Sequence, residues 1–261
     1  SVVTYRKLFD IPMEKPDKIF YKMAMRKVGV DSVSEFLKDI QPKDKLYWLF
    51  YEKLKHTHSK PQRIKILCNM ERCRWRLKDY PYMHDKYVLV NIPSFRLRAV
   101  DSKKDLEMRI GCGSFDTKTP LLTSAIMRMD INPQWIVPRS IIKKSIIPHL
   151  GNRSYFESHN FFVRERSTGK KISFDKVTSE MLNSSDYLVV QAGGIGNSLG
   201  RIIFRFNNSF SVFIHDTNQH GVFSQEDRGV SHGCIRVQKP FSLAMFMLKD
   251  KNEDIISKIR Y

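Results

Sequence analysis

The first part of the chain, residues 16–80, has the hydrophobic spacing of amphipathic helices. In the stretch Ile19–Val28, apolar residues recur every three to four positions, which places them on one face of a helix. Asp17 or Pro16 is suited to begin this helix and Gly29 to end it, because short polar side chains and proline favour the first turn and glycine follows the last. We therefore predict a helix over this stretch.

The same spacing predicts three more helices before residue 81. They run from Asp31 to Ile40, from Lys43 to Lys55, and from about Pro61 to Pro81. The last carries the densest basic stretch of the chain, which consists of Arg72, Arg74, Arg76 and Lys78. Side chains spaced by two on a helix fan around its axis, so we expect a solvated basic surface here and not a charged stripe.

Beyond Pro81 the pattern changes to the alternating and short apolar runs of strands. The predicted strands are 87–92, 95–100, 107–110 and 234–237, with a hairpin made of 202–206 and 211–215. An apolar helix is expected from Pro240 to Leu248. Residues 120–190 interrupt the β pattern and contain a predicted helix over 139–147. Such an insertion indicates a lid or binding loop, or else a segment with a packing role only.

Helices followed by strands indicate an α+β protein with a helical part over residues 1–80 and a mostly-β part over 81–261. A length of 261 residues allows one large domain or two, and 41% hydrophobic residues exclude a disordered chain. No apolar run approaches the ~18 residues of a membrane helix. The start, Ser1–Lys7, has no apolar signal core, so we expect a cytoplasmic protein, or a fragment or mature form that has lost its targeting segment.

The net charge of +18 indicates an anionic partner, namely nucleic acid, a membrane surface or an acidic polymer. Residues 1–80 contain 19 basic and 10 acidic residues, so this part carries the denser charge. Neither a zinc finger nor an RNA-recognition motif is visible. A basic module that binds nucleic acid or another polymer therefore stays only a remote alternative.

Three of the four cysteines fit structural roles. Cys68 and Cys73 fall on different faces of a predicted helix, and Cys112 lies between Gly111 and Gly113 at the end of a predicted strand. The nearby histidines match no common zinc pattern, so we expect no metal site and no cofactor.

Cys234 differs because it stands in Ser231-His232-Gly233-Cys234, nineteen positions after His215. A cysteine nucleophile needs a base, since a free thiol with a pKa of ~8.5 is only a few per cent thiolate at pH 7. His215 and Cys234 end and begin neighbouring strand-like segments, so we expect them to meet at one sheet edge. The alternative is a buried cysteine beside a chance histidine.

The segment His215-Asp216-Thr217, followed by Ser231-His232-Gly233-Cys234-Ile235-Arg236-Val237, resembles the signature of the YkuD-type L,D-transpeptidases. The stretches 69–75, 88–93, 132–138 and 196–200 are similar to other parts of the larger, scaffold-bearing members. The resemblance implies a mostly-β catalytic domain with a substrate-capping insertion at about 120–190, preceded by a partial helical scaffold. Larger relatives carry more scaffold upstream and often strands downstream, so we expect a fragment or a short member.

The resemblance also implies the roles of the site residues. Cys234 would be the nucleophile and His215 the proton acceptor and donor, with His232 and Gly233 shaping the pocket and the oxyanion hole. The candidate substrate contacts are Arg236, Asn197, Ser231, Arg228 and Trp135. Arg228 fits a solvated loop charge equally well, and Trp135 more often anchors the core of such an insertion. Either Asp216 or a backbone carbonyl would orient His215.

The implied activity is cross-linking of peptidoglycan stem peptides in the bacterial envelope, in the periplasm, with no nucleic acid as partner. Carbapenem-type inhibitors would acylate Cys234, and a segment absent from this chain would bring the protein near the membrane. The alternative within the same chemistry is an L,D-carboxypeptidase, in which water replaces the acceptor amine.

Overall fold

A computed structural model of the protein describes residues 8–30, 32–101 and 104–248. These residues form two compact units. One unit comprises residues 11–83, and the other contains the described residues outside that range.

Four helices build the unit of residues 11–83. They are α1 (Lys18–Gly29), α2 (Val33–Asp39), α3 (Lys45–Lys55) and α4 (Lys60–Cys73). The Asp17 carboxylate accepts a hydrogen bond from the Phe20 amide at 2.7 Å and so caps α1, as its position predicts. Tyr47, Ile66 and Met70 form the small core between α3 and α4. The four predicted helices are confirmed, apart from the end of the last one.

The prediction that the fourth helix continues to Pro81 is wrong, because α4 ends at Cys73. Beyond it, Leu77 forms an isolated antiparallel bridge with Met13. The Glu14 amide donates to the Arg76 carbonyl at 2.7 Å, and the Lys78 amide donates to the Pro12 carbonyl at 3.0 Å. Pairing with a distant segment therefore satisfies the backbone groups that further helix would have used.

The other unit is organised around a large mixed sheet. Its strands are β2 (Lys86–Asn91), β3 (Arg96–Asp101), β4 (Lys104–Gly113), β6 (Ile126–Ile131), β11 (Ile202–Phe206), β12 (Ile214–His215), β13 (Gly229–Ser231) and β14 (Ile235–Val237). Their order is β2-β3-β4-β14-β12-β11-β6, with β13 beside β4. The predicted strands are thus present, and β11 pairs antiparallel with β12 as the hairpin signal indicates. The prediction of a second hairpin strand over 211–215 is wrong in its length, because only Ile214–His215 is strand.

One face of this sheet is covered by apolar side chains and by helix α8 (Pro240–Leu248). Leu97, Ile110, Phe204 and Val237 are fully buried there, together with Leu243 of α8. Each such side chain contributes roughly 1.5–3 kcal/mol of burial free energy, so this core fixes the strands that carry the candidate site.

The insertion leaves the sheet after Ile131 and returns at Ile202, two residues that pair across β6 and β11. It contains strands β7 (Trp135–Ile136), β8 (Phe161–Glu165), β9 (Lys171–Ile172) and β10 (Tyr187–Gln191), in the order β7-β10-β8-β9. Its helices are α5 (Arg139–Ile141), α6 (Arg153–Ser158) and α7 (Ser179–Asn183). A separate core that includes Val163, Leu182 and Val189 makes the insertion a small subdomain of its own.

The helix predicted over 139–147 is interrupted. After α5, residues 142–146 form a π-helical turn, and a 3-10 turn follows over Ile147–His149. Pro148 has no amide hydrogen, so a regular helix cannot continue through it.

A remaining short strand, β1 (Phe9–Asp10), pairs in parallel with β5 (Leu121–Leu122). None of the helices in the described ranges is long and apolar enough to cross a bilayer. Helices together with a β-rich unit confirm the α+β class that the sequence predicts.

Gly200 ends the turn that leads from the insertion into β11 and allows a close approach to Asp216. Its φ of +64° lies in the left-handed region, and a Cβ built there would lie 2.4 Å from the Asp216 carboxyl group. That carboxyl group accepts a hydrogen bond from the Arg201 amide at 2.9 Å. A side chain at position 200 would therefore disturb the junction of the sheet and the insertion.

We predict that Gly200→Ala lowers the free energy of unfolding by more than about 2 kcal/mol, because left-handed strain and a steric clash add. Gly169→Ala is the matched control, since Gly169 has a φ of +73° but nothing within 4 Å of its Cβ position. The control should lose only about 1–2 kcal/mol. Urea denaturation of both variants measures the difference, and equal losses would contradict the proposed clash.

Candidate active site

The candidate nucleophile and base are brought together by the pairing of β12 with β14. These two short strands run parallel, with Ile214 opposite Ile235 and His215 opposite Arg236. Ile214 and Ile235 point into the large core, so His215 and Arg236 lie on the opposite face of the sheet. Cys234 is two residues before Arg236, and by alternation it shares that face.

Because β12 and β14 run parallel, the end of one strand does not lie beside the start of the other. Cys234 precedes β14 and His215 ends β12, so longer strands would hold them far apart. Here the strands have two and three residues, and the register leaves a diagonal offset of only two positions. Adjacent strands lie about 4.8 Å apart, so Cys234 and His215 are diagonal neighbours on this face, a relation that typically places the residues about 7–8 Å apart.

His215 is almost fully enclosed, with 4% of its surface exposed. Burial, together with the positive charge of Arg236, lowers its pKa from 6.5 to about 4. Its Nδ1 is hydrogen-bonded to the backbone carbonyl of Asp216, and the Leu199 carbonyl also favours a protonated ring. A carbonyl only accepts, so Nδ1 carries the proton and Nε2 of the neutral ring keeps its lone pair.

Cys234 is half-buried at the start of β14. Burial raises the pKa of its thiol, whereas a hydrogen bond from the Phe213 backbone and the charge of Arg236 act in the opposite direction. The depressed pKa of His215 and the raised pKa of Cys234 give a resting pair of neutral thiol and neutral imidazole. Such a pair can transfer a proton from sulfur to nitrogen when a substrate arrives.

A tight turn holds Cys234, the candidate nucleophile. The Ser231 hydroxyl donates to the Cys234 carbonyl at 2.6 Å and accepts a hydrogen bond from the Gly233 amide at 3.0 Å. Gly233 is buried with a φ of +117°, a conformation that residues with a Cβ rarely adopt. The geometry therefore assigns Ser231 and Gly233 to shaping the backbone around Cys234.

Two threonines that the sequence analysis did not select support this turn from outside. Thr117 Oγ1 donates to the Ser231 carbonyl at 2.7 Å, and Thr119 Oγ1 donates to the Gly233 carbonyl at 2.9 Å. The Ser114 amide adds a bond to Ser231 at 3.0 Å. These residues lie more than a hundred positions before the turn, so no local pattern relates them to it.

The amide groups of the turn are not equally available. The Gly233 amide is occupied by the Ser231 hydroxyl. For the Cys234 amide, no acceptor exists within the part of the chain that the structure describes. That N–H is therefore the better candidate for an oxyanion hole, while the His232 side chain is exposed to solvent.

Arg236 lies opposite His215 in the strand register, two positions after Cys234, and retains free donor capacity. Its Nη1 donates to the Gln219 side chain at 2.7 Å. Its Nε is buried and has no hydrogen-bond partner among the described residues. Burial lowers the pKa of this guanidinium, although at neutral pH it stays charged.

The other predicted contacts point away from a substrate role. Asn197 donates to the Ala192 and Pro133 carbonyls at 2.8 and 3.0 Å, so its amide is committed to the turn after β10. Arg228 is buried and donates to several backbone carbonyls, among them Ile110 at 3.1 Å. Trp135 packs against the core of the insertion. A substrate contact for these three residues has no support from their positions.

Of the other cysteines, Cys112 is buried in the large core, and burial raises the pKa of its thiol to about 11. The structural role predicted for Cys68 is wrong, because its side chain is exposed on α4. Among the described residues, no group of three or more His, Cys, Asp or Glu side chains is arranged to hold a metal ion.

Two known proteins are similar to this chain. A "Putative L,D-transpeptidase" of Haemophilus influenzae is 26% identical over 240 residues, which cover 91% of this chain and 48% of that protein. The chain therefore spans about half the length of this curated relative. The structure of Mycobacterium tuberculosis L,D-transpeptidase 1 aligns with 62% of this chain and 55% of its own, at 16% identity and a TM-score of 0.28.

The family model described as the YkuD L,D-transpeptidase catalytic domain matches residues 85–253, which is more than half of the chain. The matched range contains β12, β14, the turn before Cys234 and the two threonines that support that turn. The chain therefore belongs to the YkuD family of L,D-transpeptidase catalytic domains.

Proposed function

We propose that this protein is a peptidoglycan L,D-transpeptidase that uses Cys234 as nucleophile and His215 as base. The observation that carries the proposal is the register of β12 and β14, which gathers Cys234, His215 and Arg236 on one face. Membership of the family supports the same chemistry. The substrate class would be tetrapeptide stems of the bacterial cell wall, and the site of action the envelope, in the periplasm.

In the first step, Nε2 of His215 takes the thiol proton as the sulfur of Cys234 attacks the carbonyl of the diamino acid. Negative charge develops on the carbonyl oxygen, and the free amide of Cys234 is placed to donate to it. When the tetrahedral intermediate collapses, the bond to D-alanine breaks. The imidazolium returns its proton to the leaving amine, and a thioester on Cys234 remains.

In the second step, an amine of a neighbouring stem peptide attacks the thioester, and His215 accepts the proton of that amine. The new amide bond is a cross-link between the third residues of two stems, and the thiol is restored by the proton from His215. Water in place of the amine would give a tripeptide, which is the carboxypeptidase reaction. The products of a single assay separate the two reactions.

Arg236 is suited to hold a carboxylate of the substrate near Cys234. Its Nη1 is fixed by Gln219 at 2.7 Å, while the buried Nε has no protein partner in the described ranges. A buried donor without an acceptor is unfavourable, so a ligand that supplies one gains binding free energy.

Replacement of Cys234 by alanine should abolish both D-alanine release and dimer formation from disaccharide-tetrapeptide, because no other described thiol shares this face. Cys68→Ala is the matched control, and it should keep full activity since Cys68 is exposed on α4. Product analysis by liquid chromatography and mass spectrometry measures both products. Normal turnover by Cys234→Ala would refute the proposed nucleophile.

The acid limb of kcat/KM should lie near pH 4 and not near the ordinary histidine pKa of 6.5. The depressed pKa of His215 keeps the ring neutral, and so able to accept a proton, down to about pH 4. The unfolded chain takes up this proton already below pH 6.5, so stability also falls as the pH drops from 6.5 towards 4. Circular dichroism at each pH therefore accompanies the rate measurements.

His215→Gln is the control for this profile and should lower kcat by about 10²–10⁴-fold at every pH. An acid limb at pH 6.5 or above in the wild type, with the protein still folded, would show that burial does not depress the pKa of His215.

A carbapenem should acylate Cys234 and raise the intact mass of the protein by the mass of one inhibitor molecule. The strained lactam carbonyl takes the place of the peptide carbonyl, and the Cys234 thiolate attacks it in the same way. Intact mass spectrometry of the wild type and of Cys234→Ala measures the adduct. An adduct on the variant as well would contradict acylation at this residue.

A further inference from the structure

The unit of residues 11–83 contains an open cleft whose lining combines positive charge, one carboxylate and apolar walls. The cleft has a volume of about 560 Å³ and lies between residues 37–43 and the end of α4. Its charged lining consists of Lys43, Arg74, Arg76 and Asp39.

The cations converge here because α4 ends at Cys73. On a continued helix, Arg74 and Arg76 would diverge by about 200° around the axis. Instead, Arg76 is held by the backbone pairing of its carbonyl with Glu14, next to the bridge residue Leu77. Arg74 and Arg76 therefore border the same cleft.

Most of this charge is not neutralised within the protein. Lys43 and Arg76 have no side-chain ion pair or hydrogen bond among the described residues, and neither does the Asp39 carboxylate. Arg74 is oriented by the Tyr47 hydroxyl at 2.8 Å and by Gln41 at 3.3 Å, with only an exposed pair to Glu71. The cleft thus presents donors for carboxylates and one acceptor for an amine.

We propose that this cleft binds a peptidoglycan stem peptide, as a docking site separate from Cys234. A stem peptide carries several carboxylates and the amine of its diamino acid, which matches three cations and one carboxylate in the lining. Leu37, Ile40 and Pro42 give the apolar walls that a peptide side chain requires. Duplex DNA carries no cationic amine to pair with the Asp39 carboxylate, so it fits this lining less well.

This inference rests on the proposed function, because it assigns a second contact to the same substrate. A wall strand held by one stem peptide raises the local concentration of its neighbouring stems, so docking would favour cross-linking of strands over reaction with free peptides.

The test uses the full chain with Cys234→Ala, so that peptide binds without turnover. A dye-labelled L-Ala-γ-D-Glu-L-Lys-D-Ala peptide is titrated by fluorescence anisotropy, and a photoreactive form of it is mapped by mass spectrometry. We expect label within residues 37–43 or 74–76. Lys43→Gln with Arg76→Gln should remove that label and weaken this binding by about tenfold or more, since two charged hydrogen-bond donors are lost.

The matched control is Lys22→Gln with Arg26→Gln, which removes one lysine and one arginine charge from exposed positions on α1. It should label and bind like the parent. Label absent from the cleft, or equal binding by both double variants, would overturn the proposal. The proposal would also be overturned if the cleft variant lost binding to phosphatidylglycerol vesicles or to duplex DNA as strongly as it lost binding to the peptide. The cleft would then bind anions through charge alone.

D-alanine release by the wild type on the same peptide is measured in parallel. That reaction reports on Cys234 and His215 only. Release without cleft label would therefore leave the proposed function standing and refute the docking site, whereas cleft label without release would refute the proposed function.

Discussion

The whole site depends on the register of two very short parallel strands. Because His215 lies opposite Arg236, Cys234 is offset from His215 by only two positions on the same face. A shift of one residue would turn Cys234 into the apolar core and expose Ile235 in its place. The large core, with Ile214 and Ile235 inside it, opposes such a shift, so the packing on one face of the sheet secures the chemistry on the other.

Burial then decides the protonation states on that face. His215 is enclosed beneath the turn that leads into β11, and its pKa falls to about 4 while the pKa of the Cys234 thiol rises. Arg236 adds a positive charge that favours thiolate and disfavours imidazolium. The Cys234 thiol and the His215 imidazole are therefore both neutral before substrate binds, and they form no ion pair. In the proposed mechanism, charge would separate only when a substrate carbonyl can receive the sulfur.

The unit of residues 11–83 shows how tertiary pairing overrides local pattern. The spacing of α4 predicts a helix that continues towards Pro81, yet residues 76–78 pair with residues 12–14 instead. As a result, basic residues that a continued helix would have dispersed border a single cleft. By composition the net charge indicates any anionic partner, whereas the proposed docking of a stem peptide rests on this arrangement of cations, carboxylate and apolar walls.

The sequence by itself determined the α+β class, the first three helices, most strands, and the choice of Cys234 and His215, because periodicity and a contiguous motif are local properties. Only the tertiary structure decided the strand direction, the carbonyl that orients His215, and the support from Thr117 and Thr119. It also showed that Asn197 and Arg228, which were candidate substrate contacts, donate hydrogen bonds to backbone carbonyls of the fold. Those facts depend on which distant backbone groups meet after burial, and no local pattern of residues encodes such meetings.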